Sequence, residues 1–239
     1  MVSGEVREYW DDGIILEGYL TRDPSVQGKR PAVLVMHDWM GVGPYVKRRA
    51  DEIAGLGYVA LAADIYGKGV HPATVDEAAA LAGKFRGDRP LLRRRCLAAL
   101  DALKSDPSTD RDRVAAIGYC FGGTAVLELA RSGAPMAGFV SFHGGLATPA
   151  PEDAEKIKGK VLVLHGADDP FVPASEMLAF IEEMRKGRVD WQMTIYGSAV
   201  HAFTIRESGD DPSRGAAYNE KADRRSWEAM KSFFAEIFA

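Results

Sequence analysis

One stretch of the chain combines a reactive side chain with the backbone freedom to expose it: Gly118-Tyr119-Cys120-Phe121-Gly122-Gly123. Val114-Ala115-Ala116-Ile117 before it has the composition of a buried strand, and the residues from Thr124 to Ala130 read as a helix. Glycines two before and two after a central residue let a strand turn sharply into a helix without a Cβ clash. Such a corner lifts the Cys120 Sγ to the positive N-terminal end of the helix, where a thiolate is favoured. The chemistry implied is thiolate attack on an electrophilic centre. The plainer alternative is a small buried residue beside a glycine-rich turn.

A thiol nucleophile needs a base that takes its proton and later returns one to the leaving group, and histidine is best matched to that at neutral pH. An acid should hold the ring. After Cys120 the chain supplies Asp168 or Asp169 and then His201, which lies in a loop after a late strand and ahead of Phe203 and a terminal helix. Nucleophile, acid, histidine is the chain order of α/β-hydrolases.

These residues need elements to position them. Asp11-Asp12-Gly13 separates two strand-like runs and predicts an opening β-hairpin. Pro31-Ala32-Val33-Leu34-Val35-Met36 is a continuous apolar run of the kind seen in central parallel strands. A glycine-containing loop, a helix starting near Pro44 and a strand over 58–63 then make a parallel strand-helix-strand unit. Two helices are expected over 75–85 and 90–104, separated by Gly87 and Pro90, with a polar turn over 106–113. In the second of them Cys96 falls on the apolar face with Leu92, Ala99, Leu100 and Leu103, so it is assigned to the core. Later strands end at His143 and His165, and the last at Tyr196. The count is about eight strands and six helices: one α/β domain over residues 1–239, with a mostly parallel sheet covered on both faces. Asp38, Cys120, Asp169 and His201 all fall at carboxyl ends of strands, where such sheets place their sites.

The balance of charges narrows the partners. A net charge of -4 and a pI near 5.8 give no general attraction to nucleic acid or to anionic membranes. No apolar stretch reaches the ~20 residues of a membrane span. Two cysteines are too few for a disulfide framework, and the first ten residues carry charges where a signal peptide would be apolar. A cytoplasmic protein, monomeric or a small homo-oligomer, is expected. Among the histidines, neither His37 with Asp38 nor His143 with His165 shows metal-ligand spacing, so neither a metal nor an organic cofactor is expected.

The chain resembles the dienelactone hydrolases, α/β-hydrolases with a Cys-His-Asp triad. The matching residues are Gly118 to Gly123, then His165-Gly166-Ala167-Asp168-Asp169-Pro170-Phe171-Val172-Pro173, then His201-Ala202-Phe203. The resemblance implies Cys120 as nucleophile, Asp169 as acid and His201 as base. It also implies an oxyanion hole from the backbone N–H groups of Phe121 and Trp39. The family's glutamate that holds the resting thiol proton is matched here by Asp38, one methylene shorter. Family members bind a substrate carboxylate with arginines, one of them shortly after the histidine. Here Ile205 takes that position and Arg206 follows it, while Arg86 and Arg89 lie between the two middle helices. The loss of that arginine predicts a more apolar mouth, with Trp39 and Phe203 as walls, that accepts neutral short-chain esters.

The function expected is hydrolysis of a small-molecule ester or lactone through a cysteine thioester. Two other readings are a non-catalytic binding protein on a hydrolase fold, which has no need of a base and an orienting acid, and a thiol peptidase, which fits the same triad.

Overall fold

Asp12 and Gly13 both take positive φ, 49° and 77°, and this turn folds β1 (Ser3–Asp11) back on β2 (Ile14–Arg22). The two strands pair antiparallel with Trp10 opposite Ile15 and Val6 opposite Tyr19, the hairpin that the turn residues predict. The structure, a computed structural model, describes residues 2–239.

The apolar run after the hairpin becomes β3 (Arg30–Met36), which leads through α1 (Pro44–Gly55) into β4 (Val59–Ala63). β3 and β4 pair in parallel, Val33 beside Ala60 and Val35 beside Ala62, and every residue of β4 is buried. Burial on both faces is why this strand shows no alternation of apolar and polar residues. β2 joins the other side of β4 antiparallel, through Tyr19 to Thr21.

α2 (Val75–Gly87) and α3 (Arg89–Ser105) follow, with less between them than the separation by Gly87 and Pro90 predicts. Gly87 belongs to α2 and Pro90 to the first turn of α3, so Asp88 alone separates the helices. Its carboxylate accepts from the Leu91 N–H at 3.0 Å and caps α3, while proline in a first turn gives up an N–H the helix does not use. β5 (Thr109–Tyr119) also begins earlier than expected. Arg111, Asp112 and Arg113 within it are exposed, and a solvated stretch of strand needs no apolar residues to mark it.

Contacts within the chain gather into two compact units, one ending at Ile117 and one starting at Gly118. The first is filled by Leu34, Val35, Ile53, Leu61, Leu100 and Leu103, with Cys96 fully buried among them as its helical spacing predicts.

The second unit holds α4 (Phe121–Arg131), β6 (Gly138–Phe142), β7 (Lys160–Gly166), α5 (Ala174–Lys186), β8 (Trp191–Tyr196) and α6 (Glu220–Ile237). β6, β7 and β8 are parallel in that order. α6 lies so close to β6 that a Cβ on Gly138 would meet the Phe233 ring at 2.8 Å. A buried ion cluster fixes the C-terminal end of α4: the Arg131 guanidinium donates to both carboxylate oxygens of Glu183 on α5, at 2.7 and 2.8 Å, to Glu128 at 3.0 Å and to the Leu146 carbonyl at 2.8 Å.

Across the sheet the strand order is β1-β2-β4-β3-β5-β6-β7-β8. This is the α/β class expected, an eight-stranded and mostly parallel sheet with helices. Among the described residues no helix is long and apolar enough to cross a membrane.

Candidate active site

β5 ends at Tyr119 and α4 begins at Phe121, which leaves Cys120 alone at the corner with φ 54° and ψ -115°. A cysteine held at positive φ stores strain, on the order of 1–3 kcal/mol, and persists only where its surroundings enforce it. Here they do so through the glycines. A Cβ on Gly118 would stand 2.1 Å from the Gly122 carbonyl oxygen, and one on Gly123 2.6 Å from Ser141 Oγ. The corner therefore closes only with hydrogen at those positions. The Cys120 N–H donates to the Phe142 carbonyl at 3.0 Å and to His143 Nδ1 at 3.2 Å, and its carbonyl accepts from the Gly123 N–H at 3.0 Å.

His201 reaches this corner from the loop after β8. Its Nε2 lies 3.0 Å from Cys120 Sγ and its Nδ1 2.8 Å from Asp169 Oδ2. The loop is held against a later segment by backbone bonds from His201 N–H to the Gly215 carbonyl and from Ala217 N–H to the His201 carbonyl. Asp169, with its side chain wholly buried, also accepts the Phe171 N–H at 2.9 Å on Oδ1. Asp168 is exposed, so of the two adjacent aspartates only Asp169 meets the imidazole. Burial works against charge on His201, but the charge interaction with Cys120 and the hydrogen bonds to Asp169 and Cys120 outweigh it and hold its pKa up to about 10. An arrangement of this kind can take a proton from Sγ onto Nε2 and keep the resulting cation between two anions.

Three neighbours of this chain of groups have no assigned place in the site from sequence. His143 and Thr204 stand behind the corner, Nε2 to Oγ1 at 2.7 Å. Phe171, which is 61% exposed, sets its ring edge-on to His201 at 5.3 Å between centroids. The available signals were His143-Gly144-Gly145 directly after a strand and an aromatic two residues beyond Asp169, and neither says what it will touch.

The other candidate residues divide by their surroundings. Phe121 opens α4, where the helix ladder makes no use of the first N–H groups. In the first unit, Trp39 is half-buried and its carbonyl accepts from the Tyr66 hydroxyl at 3.0 Å. The peptide that carries the Trp39 N–H is pinned from its other end, because His37 Nδ1 bonds the Asp38 carbonyl while His37 Nε2 accepts from Ile65 N–H at 3.3 Å. Burial pushes the His37 pKa down, which keeps this ring neutral. Asp38 Oδ1 accepts the Met40 N–H at 2.7 Å, the loop-capping arrangement of a short acid. Arg86 is exposed and Arg89 half-buried near the junction of α2 and α3. Arg206 is exposed, with its guanidinium over the Tyr218 ring at 5.6 Å. Phe203 corrects the expectation of a pocket wall: it is fully buried, packed on His143 and Tyr196, and so supports the histidine loop from beneath.

Solved structures similar to this chain include one called m3DLH, 42% identical with a TM-score of 0.96 over 100% of this chain and 99% of its own. Another is described as a dienelactone hydrolase-like promiscuous phosphotriesterase from metagenomic libraries, 42% identical with a TM-score of 0.94 over 99% and 98% of the two chains. A Bradyrhizobium sp protein named "Probable 2-oxo-3-(5-oxofuran-2-ylidene)propanoate lactonase" is 30% identical over 195 residues, 77% of each chain. Residues 16–238 match the model of the dienelactone hydrolase family, and it is to this family of hydrolases that the chain belongs.

Proposed function

We propose that the protein hydrolyses a carboxylic ester or lactone of a small molecule through a thioester on Cys120. The observation that supports this most directly is the unbroken run from Asp169 through His201 to Cys120, at 2.8 and 3.0 Å. In the first half-reaction Sγ bonds to the carbonyl carbon and the carbonyl electron pair moves onto oxygen. The proposed donor to that oxyanion within this unit is the backbone N–H of Phe121, a donor of this kind being typically worth about 3 kcal/mol in the transition state. Collapse breaks the carbon-oxygen bond to the alcohol, which leaves with the Nε2 proton of His201. In the second half-reaction a water gives its proton to His201, its oxygen bonds to the thioester carbon, and the carbon-sulfur bond breaks to return the thiolate and the acid. The scheme uses no metal or organic cofactor. A cytoplasmic setting belongs to the same proposal.

A second reading uses the same nucleophile at phosphorus. It is favoured by the 42% identity to the structure described as a promiscuous phosphotriesterase.

The test is a screen of p-nitrophenyl acetate, a small lactone, a peptide anilide and diethyl p-nitrophenyl phosphate, with wild type beside Cys120→Ala. Ester or lactone turnover that the substitution abolishes, with an acyl adduct on Cys120 caught by rapid acid quench and mass spectrometry, supports the proposal. Turnover of the triester alone selects the second reading, and turnover of the anilide above the esters selects a thiol peptidase. Tight ligand binding without any turnover would leave a binding protein.

A further inference from the structure

The amide that belongs to the nucleophile has an unusual second acceptor. Cys120 N–H is shared between the Phe142 carbonyl at 3.0 Å and the His143 ring at 3.2 Å. A ring nitrogen that accepts an N–H carries no proton, so in a neutral imidazole the proton sits on Nε2. That nitrogen is 2.7 Å from Thr204 Oγ1, to which it donates. The two ends of the ring thus hold one tautomer between the nucleophile and the histidine loop.

Thr204 lies three residues beyond His201, in the turn closed by the Ile205 N–H on the Ala202 carbonyl at 2.8 Å. The His143 ring also stands edge-on to His201, at 5.3 Å and 70°, and to Phe203, at 5.0 Å and 79°. The residue is fully buried and held at φ 39°, with its own N–H on the Leu164 carbonyl at 2.9 Å. Positive φ in a residue other than glycine, next to Cys120 at 54° and Ala202 at 58°, puts backbone strain where the reacting groups are set.

We infer that His143 is a positioning residue: a neutral strut that ties the Cys120 amide to the loop carrying His201 and so fixes the Sγ to Nε2 separation. The inference rests on the reading of Cys120 as nucleophile. A histidine that only filled space in the core would not need both nitrogens bonded to the two elements that meet at Sγ.

Isosteric substitutions separate the two ends of the strut. In His143→Asn the side-chain oxygen takes the place of Nδ1 and accepts from Cys120, but nothing reaches Thr204. Thr204→Val cuts the same bond from the other side, and His143→Leu removes both. The measurements are kcat and KM for p-nitrophenyl acetate, and the pH profile of Cys120 alkylation by iodoacetamide. His143→Leu is expected to lower kcat by about 100-fold with KM nearly unchanged, as misplacement near 1 Å does. His143→Asn and Thr204→Val should each lower kcat by about tenfold, and their double variant should be no worse than His143→Asn alone, because both remove one bond. In each variant the midpoint of alkylation should move to higher pH, since a longer Sγ to Nε2 separation stabilises the thiolate less.

Thr204→Val keeps the size of the side chain, so it serves where His143→Leu does not fold. Wild-type kcat and an unmoved alkylation profile in Thr204→Val and His143→Asn, or full additivity in the double variant, would overturn the inference. Cys120→Ala distinguishes the two readings: if it keeps wild-type turnover, the nucleophile assignment fails, whereas if it is inactive and the strut variants are normal, only the strut fails.

Discussion

The His201 imidazole bridges Cys120 and Asp169, with Nε2 3.0 Å from Cys120 Sγ and Nδ1 2.8 Å from Asp169 Oδ2. Together they raise its pKa to about 10 against the effect of burial, which by itself would lower it. Cys120→Ala removes one of the two, and the His201 pKa should fall, which imidazole NMR titration reads directly. A pKa raised in the folded state adds stability that is fully present below the ordinary value of 6.5 and is lost as pH rises through about 10. Wild type should therefore lose more of its unfolding free energy between pH 6.5 and 10 than Cys120→Ala does. Equal pH dependence of the two proteins would count against the ion pair.

Asp169 is buried and bonded to His201, whereas Asp168 is exposed. Asp169→Asn should cut kcat by about 10⁴, because the amide no longer holds the ring or balances its charge. Asp168→Asn should change kcat little. Steady-state kinetics on the two variants decides, and the reverse order would transfer the role to Asp168.

What the sequence made visible follows from how local each requirement is. Gly118 is demanded by backbone contacts with Gly122 and Gly123, within a few residues of the corner, so a glycine pattern marks Cys120 directly. The order of Cys120, Asp169 and His201 along the chain is likewise a property of the strand sequence. His143, His37 and Arg131 were opaque, since each matters through partners that only the folded chain brings to it: Thr204 and Cys120, Ile65, and Glu183. Phe203 departs from its expected place for a related reason. An aromatic close to a site histidine has the same sequence signature whether it faces a pocket or, as here, lies beneath the loop.

Arg131 is wholly buried and bonds both Glu128 and Glu183. Arg131→Met fills the volume but strands two carboxylates in the interior, and breaking a buried pair in this way typically costs about 3–5 kcal/mol. Urea unfolding should show a loss of that size. The cluster lies at the end of α4 away from Cys120, so kcat of the folded fraction should be retained. A loss below about 1 kcal/mol, typical of exposed pairs, would show that the cluster does not hold α4 to α5.

The preference for substrate charge turns on Ile205 and Arg206. Ile205 stands where family members carry a carboxylate-binding arginine, and the Arg206 guanidinium is exposed and placed over Tyr218. Holding a carboxylate would draw it from that ring, a cation-π contact of about 0.5–1 kcal/mol at an exposed site, toward a charge that water screens. A neutral ester should therefore be turned over with a higher kcat/KM than its acid-bearing counterpart of the same length, and Arg206→Ala should leave the ratio within about twofold. Added salt should likewise have little effect on it, because no bidentate clamp is being screened. A strong preference for the acid-bearing substrate that disappears in Arg206→Ala would instead give Arg206 the role that the arginine plays in the family.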